Sequence, residues 1–123
     1  MKLIQTDAAP AAIGPYSQGF VVGNLLWTSG QIPLCPKSGD IVGKTAAEQA
    51  EQCIKNLKAV LEAGGSSLAK VIKTTCFLAD MADFAAFNEV YAKHFTGKPA
   101  RSCFAVKALP KNALCEIEAV AEL

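Results

Sequence analysis

Apolar positions along the chain switch between two periods. Phe20-Val21-Val22 and Leu25-Leu26-Trp27 are short apolar runs on either side of Gly23-Asn24. That glycine accepts the positive φ at the first position of a type II′ turn, so the pattern predicts a β-hairpin ending at Ser29-Gly30. From Gln31 to Lys44 two prolines, two glycines and mixed polar residues break any period, which reads as a loop long enough to contribute to a site. Thr45-Ala46-Ala47-Glu48 has the form of a capping box. Ala50, Cys53, Ile54, Leu57 and Leu61 follow at helical spacing until Gly64-Gly65, predicting a first helix over about residues 46 to 63.

Val71 to Ala79 is rich in β-branched and aromatic residues and reads as a strand. Asp80 and Asp83 then open a second helical pattern whose stripe is Phe84, Phe87, Tyr91 and Phe95, ended by Gly97 and Pro99. Arg101 to Ala108 reads as a strand, Pro110-Lys111-Asn112 as a turn, and Cys115 to Ala121 as a last strand. Helices alternate with strands, so two right-handed crossovers place both helices on one face of a mixed sheet in an α+β fold. Residues 1–123 form one domain, with no linker, repeat or low-complexity tract.

Composition sharpens this outline. Apolar residues make up 51% of the 123 and charged residues 19%, too few charges to cover both the helices and a bare sheet face. That face is the expected oligomer contact, and a symmetric assembly is the economical way to cover it. Twelve basic against eleven acidic residues leave a formal charge of +1, which removes the electrostatic attraction needed for general binding to nucleic acid or anionic membranes. Eleven of the bases are Lys, and Arg101 is the single Arg. His94 is the single His, so a His-cluster metal site is excluded and any Ser-His or Cys-His nucleophile would depend on that one ring. Five Cys at 35, 53, 76, 103 and 115 contain no C-x-x-C pair, which suits free thiols in a reducing compartment. Met1 to Tyr16 lacks the apolar core of a signal peptide, and no apolar run reaches the length of a membrane span. A cytoplasmic protein is expected, and the sequence leaves an organellar location in a eukaryote open.

Candidate chemistry concentrates at a few positions. Arg101 starts a strand directly after Pro99-Ala100 in a chain that otherwise uses Lys, and a guanidinium fork binds a carboxylate through two parallel hydrogen bonds that an ammonium cannot reproduce. The alternative is a structural ion pair. In the last strand alternation sends Glu116, Glu118 and Val120 to one face and Cys115, Ile117 and Ala119 to the other. Two acids on one face raise each other's pKa toward that of a general base; the alternative is a solvated strand end, or pairing of Glu116 with Lys107 across the Pro110 turn. Asn88 shares the inward stripe of the second helix, where its amide needs either core partners or a ligand. Cys103 shares a sheet face with Arg101, but no His is placed to activate it, and it reads as an inert small hydrophobe. Tyr16 follows a rigid Gly14-Pro15 turn and is either a pocket wall or a surface ring. His94 is given no role.

Five segments, taken together and in order, resemble the RidA (YjgF-like) reactive-intermediate deaminases. They are Ala11-Ala12-Ile13-Gly14-Pro15-Tyr16-Ser17-Gln18, Thr28-Ser29-Gly30-Gln31-Ile32-Pro33, Val71-Ile72-Lys73-Thr74-Thr75, Pro99-Ala100-Arg101-Ser102 and Glu116-Ile117-Glu118-Ala119-Val120-Ala121. The resemblance spans essentially the whole chain. It implies a chorismate-mutase-like fold assembled as a homotrimer with sites between subunits, and a last strand inserted inside the sheet, which would rule out the Lys107 pairing. It also implies hydrolysis of 2-iminobutanoate and 2-iminopropanoate to 2-oxo acids and ammonia, without a cofactor or metal. Carried over by position, Arg101 holds the substrate carboxylate and Glu116 orients or activates water. Tyr16 and Asn88 line the pocket, and Ser29, Gly30 and Cys103 complete its wall, the last through its main chain. Two positions depart from the family pattern: Lys98, where an aromatic residue is usual, and Cys115, where a branched aliphatic is usual.

Two rival functions remain at this level. A ribonuclease or translation inhibitor calls for a basic, aromatic-lined surface, which the charge of +1 disfavours. A non-catalytic sensor of 2-oxo acids would use the same Arg101 pocket, and sequence does not separate it from an enzyme.

Overall fold

The computed structural model describes all residues, 1–123. Eight elements follow one another: β1 (Lys2–Ile4), β2 (Gly19–Val22), β3 (Leu25–Thr28), α1 (Ala46–Ala63), β4 (Val71–Leu78), α2 (Phe84–His94), β5 (Ala100–Ala105) and β6 (Cys115–Glu122). The β2–β3 hairpin turns at Gly23, which sits at φ 60°. Helix α1 begins where the capping box places it: the Thr45 hydroxyl accepts from the Glu48 N–H while the Glu48 carboxylate accepts from the Thr45 N–H. One turn of 3-10 helix, Met81–Asp83, precedes α2.

The six strands form one mixed sheet in the order β1-β2-β3-β6-β4-β5. Strand β6 lies between β3 and β4, antiparallel to both, and β4 pairs with β5 in parallel. β5 and β6 are therefore not a hairpin, and the pairing of Lys107 with Glu116 does not form. Instead Phe77 stands opposite Glu116 on one side and Phe104 on the other. The reason is the parallel β4-α2-β5 crossover, which leaves the second edge of β4 free for the longer β6. Two further differences are local. β5 ends at Ala105 rather than Ala108, and a short β1 adds a sixth strand through pairs such as Leu3 with Phe20.

Both helices pack on one side of the sheet. Ile54, Leu57, Val60 and Leu61 of α1 and Phe87, Val90 and Tyr91 of α2 meet Cys76, Leu78, Cys115, Ile117 and Ala121 in one apolar core. The residues of β6 alternate as expected, with Cys115, Ile117, Ala119 and Ala121 buried toward the helices and the intervening residues half-buried on the other side. Cys115 meets the Cys53 thiol at 3.6 Å inside this core, so this departure from the family pattern is a packing change. The polar side of α1 fastens the loop from Gln31 to Lys44: the buried Asn56 amide donates to the carbonyls of Ile32 and Leu34 at 3.0 and 2.9 Å.

The helix-free face is uncovered and carries several exposed apolar side chains beside the acids of β6. Leu3 and Val22 are each 50% exposed, Trp27 52% and Phe104 45%, far more than a sheet face of a monomer usually leaves in water. No helix is long and apolar enough to cross a membrane.

Candidate active site

Arg101 occupies the edge strand β5, where its register opposite Thr74 points it to the helix side. There Nη1 donates to Asn88 Oδ1 at 2.7 Å, and the guanidinium carbon lies 4.8 Å from the centre of the Tyr91 ring and 5.6 Å from that of Phe84. Such cation–aromatic contacts contribute on the order of 0.5 to 2 kcal/mol and hold the fork flat against the rings. Tyr91 is itself fixed, its hydroxyl sharing a 2.6 Å hydrogen bond with the buried Thr74 hydroxyl. No carboxylate pairs with Arg101, since the chain's one ion pair joins His94 to Glu51. The half-buried cation therefore faces a pocket of about 440 Å³, lined by Asn88, Tyr91, Phe95, Lys98 and Arg101 among others, with its remaining donors free.

Glu116 lies on the opposite side of the sheet. It projects beside Gly30, where any Cβ would strike its carboxylate. Gly30 is thus required by close approach and not by its backbone angle. Mutual hydrogen bonds between the main chains of Gln31 and Ile117, at 2.8 and 3.1 Å, lock this approach. The Ser29 hydroxyl donates to the Ser17 carbonyl at 2.5 Å. The Tyr16 N–H closes the Gly14-Pro15 turn by donating to the Gly14 carbonyl at 2.9 Å, and the Tyr16 hydroxyl accepts from the Ile13 N–H. The buried Gln18 side chain anchors the whole segment, accepting from the Thr6 N–H and donating to the Thr6 and Pro10 carbonyls. The result is a second pocket of about 390 Å³ formed by Tyr16, Ser29, Gly30, Ile32, Glu116 and Glu118. Glu116 has no hydrogen-bond donor within the chain. Burial, and then repulsion from Glu118, raise its pKa above the ordinary carboxylate range.

The candidate residues thus separate into two groups. Tyr16, Ser29, Gly30 and Glu116 come together on the open face; Asn88 and Arg101 come together on the helix face, and the sheet lies between. Arg101 and Glu116 do not meet within one chain. Cys103 shares the side of Arg101, as alternation predicts, but does not line the pocket. Burial raises its thiol pKa against the opposing pull of Arg101, and no base adjoins it, because His94 turns to Glu51 at 2.8 Å. The sequence pattern marks Tyr91 and Thr74 only as a core and a strand position. The spacing of Tyr91 from Asn88 on α2 is the signal that could have placed its ring beside the pocket.

The comparisons with known proteins bear on the family and the fold. Residues 6–123 match the model of the family described as Endoribonuclease L-PSP. Among its relatives is the Escherichia coli K12 protein named 2-iminobutanoate/2-iminopropanoate deaminase, 49% identical over 98% of this chain and 96% of that one. Another is a Lactococcus lactis protein named putative regulator AldR, 53% identical over 100% of this chain and 98% of that one. The crystal structure of Escherichia coli TdcF with bound serine superposes with a TM-score of 0.95 at 45% identity, over 100% of this chain and 99% of that chain. The α+β fold with its six-stranded mixed sheet and two helices is the fold of this group, and the chain belongs to the RidA (YjgF-like), or endoribonuclease L-PSP, family.

Proposed function

We propose that the protein is a cofactor-independent deaminase of reactive 2-imino acids, with 2-iminobutanoate and 2-iminopropanoate as its expected substrates, working at sites between the subunits of a homotrimer. The observation that carries this reading is the pair of incomplete pockets: an unpaired guanidinium on one face and an undonated, pKa-raised carboxylate on the other. Two apolar sheet faces brought together would bury the exposed Leu3, Val22, Trp27 and Phe104 and bring the Glu116 pocket of one copy toward the Arg101 edge strand of the next.

In such a site Arg101 takes the substrate carboxylate through its fork, held in place by Asn88 and Tyr91. The 2-iminium carbon is already electrophilic, so orientation and one placed water suffice. Glu116 accepts a proton from that water as its oxygen bonds to the imine carbon, giving a carbinolamine. Returning the proton to nitrogen makes ammonia the leaving group; the C–N bond breaks as the hydroxyl proton passes to Glu116 and the ketone forms, and the released ammonia takes that proton from Glu116 to leave as ammonium. One water is consumed for each iminium, and the products are a 2-oxo acid and ammonium. A carboxylate with a raised pKa is suited to both transfers, since a proton gained in the first step is readily lost in the second. Tyr16, Ser29 and Gly30 shape the wall beside it.

The name of the Lactococcus relative supports a second reading, a regulator that binds 2-oxo acids in the same pocket without turnover. Imine generated in situ separates the two. The deaminase reading expects purified protein to release ammonia well above the uncatalysed rate, whereas binding of 2-oxo acids with no acceleration would establish the regulator.

A further inference from the structure

The Arg101 pocket holds a second cation and no acid. Lys98 lines it together with Arg101, and no Asp or Glu is among the lining residues. Lys98 has no ion-pair partner, the one ion pair of the chain being that of His94 and Glu51. Lys98 is exposed, and its backbone is unusual. Lys98 sits at φ 51°, in the left-handed region that disfavours a residue with a Cβ, and Pro99 restricts it further.

A single carboxylate engages Arg101 and leaves Lys98 unneutralised on the same wall. We infer that Lys98 is a specificity-determining residue that receives a second anionic group, so that the site also takes 2-imino and 2-oxo acids carrying a side-chain carboxylate, and holds them more tightly than the aliphatic acids of the proposed reaction. This rests on the reading of Arg101 as the carboxylate anchor. The two acids of the other pocket, Glu116 and Glu118, repel a distal carboxylate and so favour its placement toward Lys98, away from the attacking water.

Calorimetric titration with 2-oxoglutarate and 2-oxobutanoate tests the inference without requiring turnover. The parent protein should bind the diacid about 2- to 5-fold more tightly, the range of one solvent-exposed charge pair. Lys98→Met keeps the Cβ and the backbone geometry while removing the charge; it should abolish that preference, lowering 2-oxoglutarate affinity more than 2-oxobutanoate affinity. Lys98→Arg should retain the preference. Equal affinities in the parent, an unchanged preference in Lys98→Met, or inorganic phosphate binding as tightly as 2-oxoglutarate would each overturn it. Imine turnover measured on the same samples keeps the two readings apart. A charge preference in binding without turnover removes the deaminase and leaves the Lys98 assignment standing, and turnover without a charge preference does the reverse.

Discussion

On the helix side of the sheet, Arg101 lies against two aromatic rings and an amide oxygen that its own chain provides; on the open side, Glu116 lies against a glycine and a second carboxylate and finds no donor at all. The first pocket is preorganised in the isolated chain. The second holds an acid that folding alone does not stabilise, since a half-buried carboxylate without hydrogen bonds is unfavourable. The contrast is what the proposed shared site requires: two halves on one chain, with the cost at Glu116 offset when a ligand is brought to the open face. The substrate's iminium is the charge that the proposed reaction brings there.

Removing the acid should have the largest effect. Glu116→Gln keeps the shape of the side chain, so affinity for 2-oxo acids should persist while imine turnover falls on the order of 10²- to 10⁴-fold. Its pH dependence follows from the sign of the shift. The folded chain binds the Glu116 proton more tightly than the unfolded chain, so stability is lost as pH rises from the unfolded value through the raised folded one. At neutral pH the ionised Glu116 is therefore destabilising, and thermal melts should show Glu116→Gln melting higher than the parent there, with the difference vanishing in acid. Catalysis has the opposite requirement: the rate should fall as pH drops through the raised pKa. A parent with no acid limb in kcat/KM would remove Glu116 as the base.

Arg101→Lys attacks the other half. Loss of the fork should lower kcat/KM about 30- to 1,000-fold, with the change seen largely in KM. Activity near that of the parent would return Arg101 to a structural role, packed between Phe84 and Tyr91. An intermediate effect is expected at Gly30→Ala, where the new methyl forces the Glu116 carboxylate aside. Turnover should fall about 10- to 100-fold, as misplacement of a catalytic group does, with 2-oxo acid binding retained. The smallest effect belongs to Cys103→Ser, which leaves both pockets as they are. Its kcat/KM should stay within about 3-fold of the parent, and loss of turnover in a folded, assembled variant would revive a thiolate mechanism.

Much of this arrangement is legible in the sequence, and the illegible part has one physical origin. Local signals specify their elements well. The Thr45–Glu48 box and the Gly64-Gly65 stop delimit α1, and alternation alone sorts Glu116 and Glu118 from Cys115 and Ile117. What local signals do not contain is strand order. The antiparallel hairpin suggested by Pro110 and the insertion of β6 between β3 and β4 demand the same alternation, so only the family resemblance separates them. The candidate residues were legible as a set, yet their division between two faces was not, because it depends on register across β4 joining Arg101 to Thr74 and Phe77 to Glu116. β1 escaped notice because three residues, two of them exposed, carry no period.

The claim that each site is shared between copies is tested most directly by mixing two inactive variants. Arg101→Ala and Glu116→Gln homomers should each be nearly inactive in imine hydrolysis. Co-refolded in equal amounts, they should recover roughly a quarter of parental turnover, the fraction of interfaces at which an intact Arg101 of one copy meets an intact Glu116 of the next in a cyclic assembly. Mixed assemblies that form, as judged by a mass-tagged subunit, and yet show no more activity than the two homomers would contradict it.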